Sequence, residues 1–203
     1  QGYSSAASDV YKRQTLDREM TVYTGLVTLV QLSACVLGDK NKMSYDAGIS
    51  YIRNVLEATR TLQKNPDDLD ARGIIMLGAS LSTSSRIGIG KEEPFAYDIY
   101  ELEFLPEKLF GSTYRRSLTS IFPRFLAAMG RHHAAEVEKY CRDAFGFGSS
   151  IEESSRKLIE LFSGFGAEMY FDGKISREQV DSIPCRTELT PNEVFELMNS
   201  LIR

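Results

Sequence analysis

A chain of 203 residues, 26% charged and 42% hydrophobic with a net charge of −4, is long enough to bury one substantial core. Its 24 Lys and Arg are interspersed with 28 Asp and Glu, which argues against a basic stripe for nucleic acid or a cationic helix for a membrane surface. Cys35, Cys141 and Cys185 are odd in number, far apart and form no CxxC pair; neither a zinc knuckle nor a disulfide framework is indicated, and buried free thiols in a cytoplasmic protein are expected.

The first segment, Ser4 to Gln14, reads SSAASDVYKRQ. It has no apolar period, no helix cap and no hydrophobic core of a signal peptide. It resembles the in-frame translation of a transposon-based sequencing adaptor over these eleven residues. Residues 1–14 are therefore expected to be a non-native, disordered leader. The natural sequence is expected to start near Thr15, with an upstream part missing and 15–203 forming one helical domain.

The remainder reads as helix almost throughout. Met20 to Leu37 is strongly apolar, but Thr28, Gln31 and Ser33 interrupt it, so it reads as a buried helix rather than a span of ~20 apolar residues. Gly38-Asp39-Lys40-Asn41 stops it. Tyr45 to Gln63 carries Ile49, Ile52, Val55, Leu56 and Leu62 at helical spacing. Asn65-Pro66-Asp67-Asp68 separates it from the next helix, with Pro66 and the acids suited to a first turn. Ile74 to Ile89 is rich in small residues around Gly73 and Gly78, which predicts a central helix ended by Gly88-Ile89-Gly90. Glu93-Pro94-Phe95 starts a short helix to about Leu105, and Phe104 to Gly111 reads as a bend. Thr113 to Met129 is helical with a kink expected at Pro123. Arg131 to Phe145 is amphipathic, with Ala134, Val137, Tyr140, Cys141 and Ala144 on one face. Ser150 with Glu153, Ser176 with Gln179, and Thr190-Pro191 with Glu193 are capping boxes, the last with proline at the first helical position. Only Ala167 to Phe171 hints at period-two alternation. The expected fold class is all-α.

The chemistry these residues offer is sparse. His132 and His133 are the two histidines; adjacent helical residues point about 100° apart and do not share a metal readily. There is no GxGxxG, GxxxxGK[ST], GxSxG or HExxH. Gly88-Ile89-Gly90-Lys91 lacks the preceding strand of a phosphate loop. Asp98 and Glu101 share a helix face while Glu103 is displaced around it. Such a pair holds a hard cation only weakly, and a solvated face is the reading adopted. Ser82-Thr83-Ser84-Ser85-Arg86 offers hydroxyls beside a cation, with no base nearby to activate one. The residues by themselves show no catalytic constellation.

Several stretches in order resemble a known family. Asn65-Pro66-Asp67-Asp68-Leu69-Asp70-Ala71-Arg72, followed by Ile74-Ile75-Met76, resembles the NP-x-D-x-x-AR-x-x-(I/M)M stretch of the iron-containing (group III) alcohol dehydrogenases. Ser120-Ile121-Phe122-Pro123-Arg124-Phe125 resembles their A-I-x-(F/L)-P helix, Leu161-Phe162 to Gly166 their FF-x-x-(I/L)G turn, and Leu189-Thr190-Pro191-Asn192-Glu193-Val194 to Leu201 their terminal helix. Met20 to Leu37 resembles the first helix of their C-terminal domain, with Gly25 at the family glycine. The resemblance covers nearly all of 15–203. It implies an all-α C-terminal domain, a missing N-terminal α/β domain that binds NAD(P) through a glycine-rich loop, and a homodimer of the full chain as an option. It also implies a family site in which one Asp and three His hold iron or zinc, the metal polarising an alcohol or aldehyde oxygen during hydride transfer.

On that alignment the ligand positions fall at about Thr28, Leu32, Asp98 or Tyr100, and Tyr114, the last followed by Arg115 in place of glycine. Thr, Leu and Tyr do not substitute for neutral imidazoles. The resemblance thus implies an oxidoreductase relative whose metal site is lost: no catalytic residue, no metal ligand and no cofactor are expected for this chain, and no nucleic acid or membrane partner. The alternative is a non-catalytic, stand-alone helical interaction module, which a start codon just upstream of Thr15 would favour.

Overall fold

A computed structural model describes residues 16–84, 86–91, 95–148 and 150–203. The leader expected over 1–14, the start expected at Thr15, Ser85, and the helix start placed at Glu93 and Pro94 lie outside the described residues.

Helix α1, Arg18–Val36, begins where the Asp17 carboxylate accepts the Met20 amide at 2.8 Å, a cap that satisfies one orphan donor of the first turn. From Thr21 onward every residue of α1 is buried except a half-buried stripe of Thr24, Val27 and Gln31. By length and composition α1 could cross a membrane, yet 78% of its most apolar window is buried inside the fold. Leu26, Leu29 and Leu32 are fully enclosed, each worth about 1.5–3 kcal/mol of apolar burial.

Helix α2, Lys42–Lys64, is capped by the Asn41 side chain, which accepts the Ser44 amide at 3.1 Å. Helix α3, Leu69–Ser82, is capped by Asp68, which accepts the Ala71 amide at 2.9 Å. The Arg72 guanidinium donates back to the Pro66 carbonyl at 2.6 Å. Pro66 and Asp67 therefore form the turn before α3 rather than its first turn.

The three helices pack on one another, and two contacts depend on a missing side chain. A Cβ on Gly25 would lie 2.3 Å from Thr59 Oγ1, and one on Gly78 would lie 2.8 Å from Val55 Cγ2 and 3.0 Å from Thr28 Cγ2. A Cβ on Gly73 would meet nothing within 4 Å. The expectation that α3 is central is thus corrected. It buries one face through Ala71, Arg72, Ile75 and Gly78, while Leu69, Ile74 and Leu77 are exposed; α1 is the central helix. Helix α3 also stops earlier than expected. Near its end Ser82 and Thr83 turn their hydroxyls back onto carbonyls of the preceding turn, those of Ala79 and Ser80, an alternative to helix continuation. Gly88-Ile89-Gly90 then serves a different purpose. Gly88, at φ +75°, passes against the Cys35 carbonyl, where a Cβ would lie 2.2 Å from the oxygen, and the Gly90 carbonyl accepts the Lys40 amide at 3.0 Å.

A 3₁₀ turn at Phe95–Asp98 leads into α4, Ile99–Leu102, and α5, Phe104–Phe110. The bend expected over Phe104 to Gly111 is therefore a helix. Pro106 is tolerated because it sits in the first turn, and Gly111 closes the helix in the left-handed region at φ +64°. Helix α6, Tyr114–Met129, continues through Pro123. Helix α7, Ala134–Phe145, starts three residues later than expected, and Gly146 ends it at φ +73°. Helices α8, Ile151–Gly164, α9, Arg177–Asp181, and α10, Pro191–Asn199, begin at Ser150, Ser176 and Thr190. The reciprocal box is complete at Ser176–Gln179 and Thr190–Glu193. At Ser150 the hydroxyl accepts the Glu153 amide at 3.3 Å.

Helix α6 packs against α1, α8 and α10, and α7 joins α2 to α8. Tyr140 on α7, wholly buried, donates its hydroxyl proton to Ser33 Oγ on α1. Among the described residues there is no strand; Phe171 and Ile202 form an isolated bridge, so the period-two hint over Ala167 to Phe171 amounts to one pairing. Cys35 and Cys141 are buried free thiols as expected, but Cys185 is only half-buried.

Replacing Gly78 with Val is expected to lower the unfolding free energy by about 1–3 kcal/mol, because the branched side chain meets Val55 and Thr28. Gly73→Ala is expected to be neutral or to stabilise by about 0.5–1 kcal/mol. Urea denaturation of the two variants beside the parent chain checks both.

Candidate functional site

The structure separates the positions that the sequence placed at the site. Thr28 is 1% exposed and Leu32 fully buried. Their Cγ2 and Cδ1 atoms lie 3.0 and 3.5 Å from where Gly78 would carry a Cβ, so both turn into the α1–α3 contact. Asp98 faces elsewhere: its Oδ2 accepts the Glu188 amide at 2.8 Å. Tyr114 and Tyr100 do come together, near enough that the charge of the Tyr114 phenol bears on Tyr100.

The partner of Tyr114 on α1 is Gln31. Its Nε2 donates to the Tyr114 hydroxyl at 3.3 Å, while its Oε1 accepts the Ser82 hydroxyl at 3.4 Å. Gln31 belongs to the half-buried stripe of α1, one residue before Leu32. That step of about 100° turns a side chain from core to open face.

Glu103, displaced around the helix from the face that Asp98 and Glu101 share, completes the cluster. Glu101 is exposed, but Glu103 is 3% exposed, and its buried Oε2 meets no donor among the described residues. Burial pushes its carboxyl up to about 7, with the Glu107 charge adding to the shift. Glu103 in turn bears on both Tyr100 and Tyr114. Burial is the leading cause holding both phenols above their ordinary value. A carboxyl poised near neutrality beside phenols and an amide can exchange a proton at physiological pH. The sequence carried a signal for it: Glu103 lies four residues after Ile99 and seven after Ala96, on the buried face of that segment.

Beside this cluster sits a second group. Lys91 Nζ donates to the Ala34 carbonyl and stands 4.1 Å over the Tyr97 ring. Burial draws its ammonium down to about 8, against the pull of Cys35 and Asp39. The Cys35 thiol, pushed up by burial, lies 3.3 Å from the Ser82 carbonyl. The Tyr97 and Tyr100 rings stack at 6.3 Å.

His132 and His133 take no part. Their Nε2 atoms lie 2.8 Å from Glu193 and 2.6 Å from Glu188, two different glutamates, and the His133 ring stacks on Phe95 at 3.9 Å.

Iron or zinc in the family manner requires converging imidazoles and carboxylates. Among the described residues no group of three or more His, Cys, Asp or Glu side chains is placed to hold a metal ion. The groups that do converge are an amide, phenols held protonated and one carboxyl that burial pushes up to about 7. This donor set does not fit a transition metal.

No protein-family model matches the chain, and no curated protein sequence does. Solved structures do. An NADH-dependent butanol dehydrogenase A from Thermotoga maritima matches with a TM-score of 0.79 at 18% identity, over 94% of this chain and 54% of that one. A sulfoacetaldehyde reductase from Bifidobacterium kashiwanohense, solved with NAD+, matches at 0.71 and 13% identity, over 93% and 51%. An iron-containing alcohol dehydrogenase from Corynebacterium glutamicum matches at 0.63 and 17% identity, over 94% and 54%. The likeness is one of fold: the chain is all-α and has the architecture of the C-terminal helical domain of iron-containing alcohol dehydrogenases. It spans about half the length of these structures.

The raised Glu103 carboxyl sets a pH dependence. The unfolded chain releases this proton near 4.5 and the folded chain near 7. The stability associated with it is therefore full below about 4.5 and is lost as pH rises through about 7. Glu103→Gln is expected to remove that loss. The variant should exceed the parent by on the order of 1–3 kcal/mol at about pH 8 and differ little at about pH 4.5, as urea titrations at the two pH values would show.

Proposed function

We propose that this chain is the helical half of an alcohol dehydrogenase-like oxidoreductase, in a member whose site no longer works through a bound metal. The observation that carries the reading is the Gln31–Tyr114 hydrogen bond at 3.3 Å. It fills with an amide and a phenol the face where α1 meets the start of α6, the region in which the family resemblance implies histidine ligands. The buried Glu103 beside it supplies a readily exchanged proton.

The nicotinamide dinucleotide, NAD or NADP, would belong to an α/β domain outside this chain. Two observations support a docking domain of that kind. The solved structures of this fold are about twice the length of the region they share with it. In addition, Leu69 and Leu77 on the outer face of α3 are 53% and 58% exposed, apolar surface of the kind that partners cover. An oxidoreductase of this class interconverts alcohols and aldehydes. Within this chain Tyr114 and Gln31 would contribute hydrogen bonds to an oxygen on that face, and Glu103 a proton.

As it stands, the 203-residue chain is expected neither to oxidise alcohols with NAD(P) nor to retain iron or zinc. Elemental analysis after exhaustive dialysis tests the second point, and absorbance of reduced nicotinamide with a panel of short alcohols the first. One equivalent of bound metal per chain would overturn the reading. A stand-alone interaction module would likewise bind no metal, so the two are separated by adding an α/β nucleotide domain from the source DNA. Restored nucleotide-dependent turnover supports the oxidoreductase reading.

A further inference from the structure

On the side of the molecule built from α6, α8 and α10 lies a cavity of about 340 Å³. Ala127, Ile159 and Leu197 give it an apolar wall, and Arg124 and Tyr170 also line it. Arg124 is 7% exposed. Its Nε donates to the Ser200 carbonyl at 3.1 Å and its Nη1 to the Ser120 carbonyl at 2.8 Å, and its guanidinium lies 4.8 Å from the centre of the Tyr170 ring. These partners hold the fork in one orientation, and all of them are neutral.

The other arginines around the cavity differ in this respect. Arg131 pairs with Glu196 at 2.9 Å and Arg156 with Glu160. The Glu193 carboxylate accepts the Thr190 amide at 2.9 Å and lies 2.8 Å from His132 Nε2. Glu152 is exposed. Arg124 is therefore a buried cation with no carboxylate partner among the described residues, on the wall of a cavity. An arginine side chain does not shed its proton to relieve that condition, and a guanidinium out of water without an anion is unfavourable. An anion in the cavity would meet the guanidinium protons that the Ser120 and Ser200 carbonyls leave free, on a group already held in place.

We infer that this cavity is a binding site for a short aliphatic monocarboxylate, whose carboxylate pairs with Arg124 and whose hydrocarbon body lies against Ala127, Ile159 and Leu197. A single charge is specified because, of the three arginines that line the cavity, Arg131 and Arg156 are paired with Glu196 and Glu160 and only Arg124 has no carboxylate partner among the described residues. The inference uses none of the groups at the Gln31–Tyr114 face, so it stands or falls separately from the function proposed above.

The test is calorimetric titration of the 203-residue chain with hexanoate, with hexanamide as the uncharged analogue and inorganic phosphate as the dianion. Saturable hexanoate binding is expected at one per chain, with hexanamide and phosphate each weaker by about tenfold or more. Arg124→Gln is expected to weaken hexanoate to the level of hexanamide. Because Arg124 is buried and that variant could lose its fold, Ala127→Phe supplies an independent check: it fills the cavity, leaves Arg124 in place and is expected to abolish binding. Absence of saturable hexanoate binding, equal affinity for hexanamide or for phosphate, or undiminished binding in Ala127→Phe each overturns the inference.

Discussion

Helix α1 can approach α2 and α3 as closely as it does only because Gly25 and Gly78 present no side chain at the two contacts. Much else follows from that steric condition. With α2 and α3 both seated on α1, the rotation of α1 about its own axis is set. Thr28 and Leu32 face inward, leaving Thr24, Val27 and Gln31 as the stripe that reaches outward. Gln31 thereby meets Tyr114 across the helix bundle, and Ser33, on the opposite side, meets Tyr140. A helix that was apolar on one face alone would allow some slack in this rotation. One enclosed on nearly all sides does not.

How much of this was legible in the sequence depended on the range of the interactions. Caps act over three residues, so Ser176 with Gln179 and Thr190 with Glu193 could be read directly, and the helices start there. The all-α class followed from periodicity, which is also local. Boundaries set by competition were harder to read. Helix α3 ends where Ser82 and Thr83 turn back onto it, although the apolar pattern continues; Phe104 to Phe110 is helical although Pro106 suggested a bend. The site was least legible because it depends on angle. One residue along a helix turns a side chain by about 100°, which is what separates the buried Leu32 from the half-buried Gln31. Glu103 was hidden for another reason: a glutamate beside Glu101 reads as solvent-facing until its phase with Ala96 and Ile99 is counted.

Glu103, Lys91 and Arg124 are each drawn out of water and relieved by a different chemical route. Glu103 can remain neutral to about pH 7. Lys91 can lose its proton near 8. Arg124 can do neither, and so it is held by carbonyls and a ring. The first two lie among the phenols near the Gln31–Tyr114 face and the third lines the cavity of α6, α8 and α10. One side of the fold can therefore hold or release protons close to neutral pH, while the other keeps a permanent charge.

The phenols of that first face have an optical consequence. The chain has ten tyrosines and no tryptophan, so phenol chromophores dominate its near-ultraviolet absorption and emission without indole masking them. Tyr97, Tyr100 and Tyr114 stand half open at the candidate site, whereas Tyr140 is sealed against Ser33. Arrival of any molecule at that face would perturb the first three chromophores and leave the fourth unchanged, and melting would alter all four. The protein thus carries a built-in spectroscopic distinction between occupancy and unfolding, with no label attached.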